Sequence, residues 1–455
     1  MSAVSACCGR EAHADEGIDA AAPQAVLYSK AMLRQIAVSL LALAAAAAPA
    51  QGQTCPAAAD IIRGATGALA DVRYLADDAL AGRLAGSAGE RCAGEYIAGE
   101  FAKAKLRPAG DDGTFFQSLS LASALNPHAP GGTGRNVIAA LDGADPRLKD
   151  EWIVIGAHYD HLGEGGSSSL APGEKAIHNG ADDNASGVSV VLSAARGFGA
   201  GPRPARSVLF MAFTGEESGL LGSTYFVGHP TIAGRMTAMI NLDMVGRLGA
   251  GPLIVYGVDT AEQWRTVVEP AATRAGIAIA TRGEGYGPSD HTAFYTKDIP
   301  VLHLFTNTHG DYHKPTDDVD KIDGAGLEKV TRMVVEITSA VAARPEQLTL
   351  RRGAGKPPAA NSGGTGGTYL GSVPDFSPVE RGVKLSGVTP GSPADKAGVR
   401  AGDIIVGMGQ LEVADLQGLT DALRAHKSGD TVPLRLIRDG KPLTLEVTLG
   451  TRAAR

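Results

Sequence analysis

Apolar residues recur in two rhythms along this chain. From Cys55 to Leu69, and again from Ala88 to Leu106, they fall at helical spacing, which predicts helices there. The Gly-punctuated stretch Leu80 to Ser87 between them reads as a loop. Near residue 135 the rhythm changes. Asn136 to Leu141, Trp152 to Ala157, Ser207 to Phe213, Met236 to Leu242 and Ile299 to Phe305 are short apolar runs bounded by polar residues or glycine. Such runs suit strands buried on both faces. Ser186 to Gly197 (with Ser186 or Asn184 as its cap), Gly219 to Val227 and Ala325 to Ala342 keep helical spacing between or after them. Strands alternating with helices predict an α/β fold, with a mostly parallel or mixed central sheet flanked by helices.

Composition then divides the chain. Residues 346–367 turn polar and rich in Gly and Pro, as a flexible linker does. A small β-rich domain is expected over 368–451, and the larger α/β domain over 56–345. Residues 1–50 read as an upstream extension followed by a signal peptide. Arg34 precedes the Leu/Ala-rich run Ile36 to Ala48, and Ala48-Pro49-Ala50 supplies a small-residue cleavage pattern. A membrane span needs about 20 apolar residues, so the run predicts export to the periplasm or the medium and no stable span. Cys7 and Cys8 fall in the removed segment. Cys55 and Cys92 remain, either as one disulfide or as two thiols. With 42 Lys and Arg against 49 Asp and Glu, the net charge is −7. No basic tract offers nucleic acid a footprint.

The ionisable residues cluster at the ends of the predicted strands. Trp152 to Ala157 runs into His158-Tyr159-Asp160, Ser207 to Phe213 into Thr214-Gly215-Glu216-Glu217, and Met236 to Leu242 into Asp243. A loop holding Asp182 and Asp183 opens the helix from Ser186, and the loop after Phe305 carries His309, Asp311 and His313. Open α/β sheets bind ligands at the carboxyl ends of their strands. Several carboxylates gathered there would repel one another without a cation, and a mixed imidazole and carboxylate set suits Zn²⁺.

Six strings sharpen this reading: G-A-H-Y-D-H at 156–161, G-A-D-D-N-A-S-G at 180–187, G-E-E-S-G at 215–219, N-L-D-M at 241–244, P-S-D-H-T-A-F at 288–294 and Y-H-K-P-T-D at 312–317. In this order they resemble the co-catalytic dizinc exopeptidases, the superfamily of bacterial leucyl aminopeptidases and glutamate carboxypeptidase. The resemblance covers roughly residues 65–345. It implies two zinc ions, with Asp182 bridging them, His158 and Asp243 completing one site, and Glu217 and His313 the other. It further implies Glu216 as general base, Asp160 orienting His158, and a cis peptide between Asp182 and Asp183. Tyr286 is a candidate hydrogen-bond donor to the oxyanion. His161, His178, His229, His303 and His309 match no ligand position and read as structural or surface residues. Asp290 and His291 read as lying near the site without touching the metals.

The segment Val388 to Val399 followed by Gly402-Asp403-Ile404-Ile405 resembles bacterial PDZ domains. Helices at Ala394 to Ala397 and Leu416 to Ala425, and strands at Ile404 to Met408, Thr431 to Ile437 and Leu443 to Leu449, fit that pattern. The resemblance implies that Tyr369-Leu370-Gly371 forms a loop able to receive a peptide C-terminus.

The expectation is thus a zinc-dependent aminopeptidase acting on the N-terminal bond of peptides. Three alternatives stand beside it: a glutaminyl cyclase, which in this superfamily uses one zinc; a carboxypeptidase; and a non-catalytic peptide-binding scaffold.

Overall fold

The computed structural model describes residues 54–122, 131–166, 168–171, 174–355, 368–375, 379–414 and 416–451. The expected signal peptide, Cys7, Cys8 and residues 356–367 of the expected linker lie outside the described residues. The chain falls into two units, Met1–Thr54 and Cys55–Arg455, and all but one of the described residues belong to the second.

Three helices come first: α1 (Ala58–Ile61), α2 (Gly67–Leu75) and α3 (Ala88–Lys103). The single helix expected from Cys55 to Leu69 is therefore two, broken where Gly64 and Gly67 take positive φ. Ser87 caps α3 by accepting the Glu90 N–H at 3.2 Å. A Cys55–Cys92 disulfide ties the start of the segment to α3.

The sheet is built from β1 (Arg107–Pro108), β2 (Phe116–Ser120), β3 (Thr133–Leu141), β4 (Glu151–His158), β5 (Ser207–Phe213), β6 (Arg235–Leu242), β7 (Leu253–Tyr256), β8 (Ile279–Thr281) and β9 (Val301–Phe305). Their order is β1-β3-β5-β4-β6-β9-β7-β8, with β2 on β3. The centre, β5-β4-β6-β9, is parallel. The flanks are mixed, since β3 runs antiparallel to β5 and β7 antiparallel to β9. Every residue of β5 is buried, as its unbroken apolar run requires.

The intervening helices are α4 (Gly187–Ala200), α5 (Leu221–Gly228), α6 (Trp264–Ala275), α7 (His291–Tyr295) and α8 (Gly324–Ala342). One sheet face packs against α2, α3, α4, α6 and α8 in a large apolar core. A smaller core lies on the other face, where Phe226 and Phe294 sit against Met211 and Phe213.

Residues 346–355 depart from the linker assignment. Leu348 joins the main core. The Arg351 N–H donates to the Thr260 carbonyl at 2.8 Å, and Leu350 bridges to Ala261. Composition hid this segment because its single buried side chain sits among charged and glycine neighbours.

The C-terminal domain comprises β10 (Thr368–Tyr369), β11 (Ser372–Asp375), β12 (Val383–Val388), α9 (Pro393–Lys396), β13 (Ile404–Met408), β14 (Leu411–Glu412), α10 (Leu416–Arg424), β15 (Thr431–Arg438), β16 (Lys441–Thr448) and β17 (Gly450–Thr451). Its sheet runs β11-β12-β13-β15-β16, and its own core gathers Leu370, Leu385, Ile405, Leu419, Leu434 and Val447. Among the described residues, no helix is long and apolar enough to cross a membrane.

Glu90 gives the α/β domain a pH-sensitive joint. Its carboxylate is buried, accepts from the Gly86 N–H at 2.6 Å and bonds the Thr214 hydroxyl. Burial pushes its pKa up to about 7. Between the ordinary carboxylate value of 4.5 and about 7, the fold holds a proton that the unfolded chain has released. Stability from this group is therefore greatest below 4.5 and falls as pH rises to 7, by an amount on the order of 3 kcal/mol. Glu90→Gln is expected to gain on the parent steadily from pH 4.5 to 8, measured by urea midpoints. Parallel curves for the two proteins would remove the assignment.

Candidate metal centre

The parallel strands deliver their side chains to one edge. His158 is the last residue of β4, Glu216 and Glu217 follow β5, and Asp243 follows β6. The loop after β9 brings His313. Asp183 arrives from the turn Ala181–Ser186, which opens α4 and starts from Gly180 in the left-handed region at φ 57°. A cis peptide joins Asp183 to Asn184, one bond later than expected.

Asp183, not Asp182, occupies the shared position. Its Oδ1 lies 3.2 Å from His158 Nε2, and its Oδ2 lies 3.2 Å from His313 Nε2. Asp243 Oδ1 approaches His158 Nε2 at 3.4 Å, and Glu217 Oε2 approaches His313 Nε2 at 3.3 Å. Asp182 turns away: its Oδ1 accepts the Gly246 N–H at 2.7 Å and its Oδ2 meets His309 Nε2 at 3.1 Å. Asp317 Oδ2 in turn accepts the N–H groups of both Asp182 and Asp183 at 2.9 and 3.1 Å. Arg247 pairs with the other Asp317 oxygen at 2.9 Å. Two adjacent aspartates face opposite sides of an irregular turn, and residue spacing alone carries no sign of which faces inward.

His161, expected to be a structural or surface histidine, lies inside the cluster. It is fully buried, and its Nδ1 contacts Glu217 Oε1 at 2.9 Å. Glu217 is thus held between His161 on one oxygen and His313 on the other. Donor atoms of His158, Asp183 and Asp243 lie within 4.8 Å of one another, as do those of His161, Asp183 and Glu217. The signal was present in the sequence: His161 sits three residues beyond His158, in the same strand-end string.

Asp160 acts on both sides of the cleft. Its backbone carbonyl lies 3.2 Å from His158 Nδ1, while its Oδ1 accepts the Glu216 N–H at 3.0 Å. Its carboxylate stands farther from His158 Nδ1, at 3.8 Å. The expected orienting contact to His158 is therefore made by the main chain. Tyr286 packs edge-on against Tyr295, ring centroids 4.7 Å apart, in the smaller core. The phenol beside the cluster is Tyr312, stacked on His313 with centroids 3.9 Å apart.

The imidazoles and carboxylates of the cluster are tightly coupled. Burial alone would lower His158, yet Glu216, Asp243 and Asp183 raise it well above its ordinary value. His313 is raised likewise, against burial, by Glu217 and Asp183. Asp183 is driven well below the carboxylate range, against burial, by His158 and His313. Glu217 falls to about 2 against burial, chiefly through His313. Protons on the imidazoles here neutralise the carboxylates, and a metal ion displaces such protons when it binds. Burial pushes Glu216 well above the carboxylate range; His158 opposes this, and Glu217, Asp243 and Asp290 reinforce it. Imidazole nitrogens and carboxylate oxygens in two groups sharing one aspartate are a donor set that fits zinc.

An open α/β sheet with such a cluster at the carboxyl ends of its strands defines the class: an α/β protein with a candidate metal centre and an appended β-rich domain. Residues 136–338 match Peptidase family M28, and residues 373–449 match the PDZ domain. The chain is therefore similar to the M28 peptidases over its α/β domain and to PDZ domains over its β-rich one.

Among relatives, leupeptin-inactivating enzyme 1 of Streptomyces exfoliatus is 28% identical over 293 residues, 64% of this chain and 59% of that protein. A probable leucine aminopeptidase of Arthroderma otae is 29% identical over 201 residues, 42% of this chain and 54% of that protein. The chain thus spans somewhat over half the length of these relatives. A solved aminopeptidase from Aneurinibacillus sp. strain AM-1 is 20% identical with a TM-score of 0.48, over 65% of this chain and 98% of that one.

Proposed function

We propose that the protein is a zinc-dependent aminopeptidase that binds two zinc ions and hydrolyses the N-terminal bond of peptides. One observation carries this reading: Asp183 stands between two donor groups, with Glu216 beside them and not among their closest pairs. His158, Asp183 and Asp243 would hold one ion, and Asp183, Glu217 and His313 the other. His161 would fix the Glu217 carboxylate. When bound, such a pair of ions supplies Lewis-acid polarisation of the scissile carbonyl and lowers the pKa of a water.

The chain's own residues do the rest. Glu216 takes a proton from the attacking water and passes it to the leaving amine, a role for a carboxylate in hydrogen-bond reach. Asp160 fixes Glu216 through its main-chain N–H. Tyr312 directs its hydroxyl to the carbonyl oxygen as charge develops there. Burial keeps that phenol protonated, and Asp183, Glu217, Glu216 and Asp243 reinforce it. Two donor groups rather than one favour hydrolysis over the cyclase alternative. The Cys55–Cys92 disulfide supports a reading as an exported protein, since disulfides persist in oxidising compartments.

The test is metal analysis combined with an assay of leucyl-p-nitroanilide and of its N-acetyl form. About two zinc ions per chain, loss of turnover with a chelator, and cleavage of only the free amine are expected. Equal cleavage of the acetylated compound would refute the aminopeptidase reading.

A further inference from the structure

Residues Thr306 to His309 lead from β9 to the turn that carries Tyr312 and His313, and they belong to no helix or strand. With no ladder of its own, such a stretch takes its path from its partners. The Thr306 N–H donates to the carbonyl of Met244, beside Asp243, at 2.8 Å. His309 Nε2 lies 3.1 Å from Oδ2 of Asp182, beside Asp183. The two ends are thus pinned next to candidate ligands. The middle is pinned by the C-terminal domain. Asn307 Nδ2 donates to Asp375 Oδ1 at 2.7 Å, and Thr308 Oγ1 donates to the Pro374 carbonyl at 2.8 Å. Ser386 Oγ lies 3.2 Å from the same threonine hydroxyl.

This grip acts on backbone that needs holding. Asn307 has φ 79° and His313 φ 53°, both in the left-handed region. Such conformations persist where their surroundings fix them. The Asn307 side chain does so at both ends: Oδ1 accepts the Thr308 N–H at 2.9 Å, while Nδ2 reaches across to Asp375. The far partner is itself anchored. Asp375 ends β11 opposite Lys384 of β12, and its Oδ2 meets Lys384 Nζ at 2.8 Å. Pro374 lies opposite Leu385, a residue of the C-terminal core. The register shifts between Val373 and Pro374, and such irregularities re-aim a strand end. One Asp375 oxygen therefore serves its own domain and the other the metal-site loop.

We infer that Asp375 is a positioning residue of the metal centre. Through Asn307 it holds the loop that places His313 and Tyr312, so the C-terminal domain is part of the centre's support. The effect falls on one side. His313 stands with Asp183 and Glu217 in one donor group, whereas His158 and Asp243 of the other come from β4 and the end of β6. A loop released at Asn307 loosens the ion of the His313 group and leaves its neighbour in place. Tyr312 shifts with His313, because their rings stack 3.9 Å apart. Removing a support behind a metal ligand typically costs about 10–100-fold in metal affinity or activity.

This inference rests on the two-zinc aminopeptidase reading, and the experiment keeps the two apart. Zinc titration, leucyl-p-nitroanilide kinetics and urea melts are run on the full-length parent and three variants. Asn307→Asp sets one carboxylate against another across the 2.7 Å contact. Asp375→Ala removes the acceptor without adding charge. The double variant Asn307→Asp with Asp375→Asn restores the pair with donor and acceptor exchanged. Each single variant is expected to weaken the looser zinc ion about tenfold, and to lower kcat by a similar factor while KM holds. The tighter ion and the urea midpoint should stay near the parent's, and the double variant should recover both zinc affinity and kcat. If Asp375→Ala binds both ions as tightly as the parent, the positioning role is overturned. It is overturned too if the double variant stays as weak as Asn307→Asp, or if both ions weaken together with the urea midpoint. A parent that binds zinc yet cleaves no free-amine substrate ends the aminopeptidase reading alone, because the zinc titrations still judge Asp375. A parent that binds no zinc ends both.

Discussion

Glu216→Gln is expected to leave the protein folded and zinc-loaded while kcat falls by about 10²–10⁴-fold. The prediction turns on a distinction between neighbours. Glu217 is held by His161 and His313 at 2.9 and 3.3 Å and belongs to the donor set. Glu216 is reached through its main chain by Asp160, and its carboxyl is pushed up by burial, with Glu217, Asp243 and Asp290 reinforcing the rise and His158 opposing it. Glutamine has the same shape and keeps the main-chain bond, yet it accepts no proton at neutral pH. Zinc content and thermal stability should match the parent. A variant that turned over normally would end the general-base assignment, whereas one that lost zinc would place Glu216 among the ligands.

The second large effect separates the two aspartates. Asp183→Asn is expected to lose most of the bound zinc and nearly all turnover, because both donor groups share this carboxylate. Asp182→Asn keeps zinc and loses stability instead. It weakens the contacts to Gly246 N and His309, at a cost of about 1–3 kcal/mol. Parallel zinc titrations and urea melts of the two variants read this contrast directly. If Asp182→Asn stripped the metal and Asp183→Asn did not, the site would have to be redrawn one residue earlier.

That contrast also shows how far the sequence reaches. The central strands were legible because buried parallel strands must be continuously apolar, and β4, β5, β6 and β9 lie close to the expected runs. His158, Glu217, Asp243 and His313 were legible because they sit at or just after strand ends, where an open sheet places its ligands. The resemblance implies Asp182 as the bridge, and the residues alone do not correct it, because the turn between strand and helix is neither helical nor extended and no period tells which side chain faces inward. His161 was passed over for a similar reason. It lies in a short bridge to Leu84 rather than in a named strand. The β7–α6–β8 excursion was missed because its strands are only four and three residues long and Pro270 lies inside its helix. The position of Tyr312 is not legible in the sequence, because it is set by stacking on His313, which composition does not record.

Arg83 also bears on how the centre is assembled. It is almost wholly buried, and its guanidinium donates to the carbonyls of Leu75, Tyr159, Asn179 and Gly180. Two of those carbonyls flank the approaches to His158 and Asp183. Burial lowers its pKa to about 10, while Asp183, Asp160, Asp317 and Glu217 work against that fall. It therefore stays positive across the physiological range. A permanent cation stitched to the strand-end and turn backbones means that the cleft does not await the zinc to take its shape. Chelated protein should keep its melting profile nearly intact and recover activity as fast as metal diffuses in.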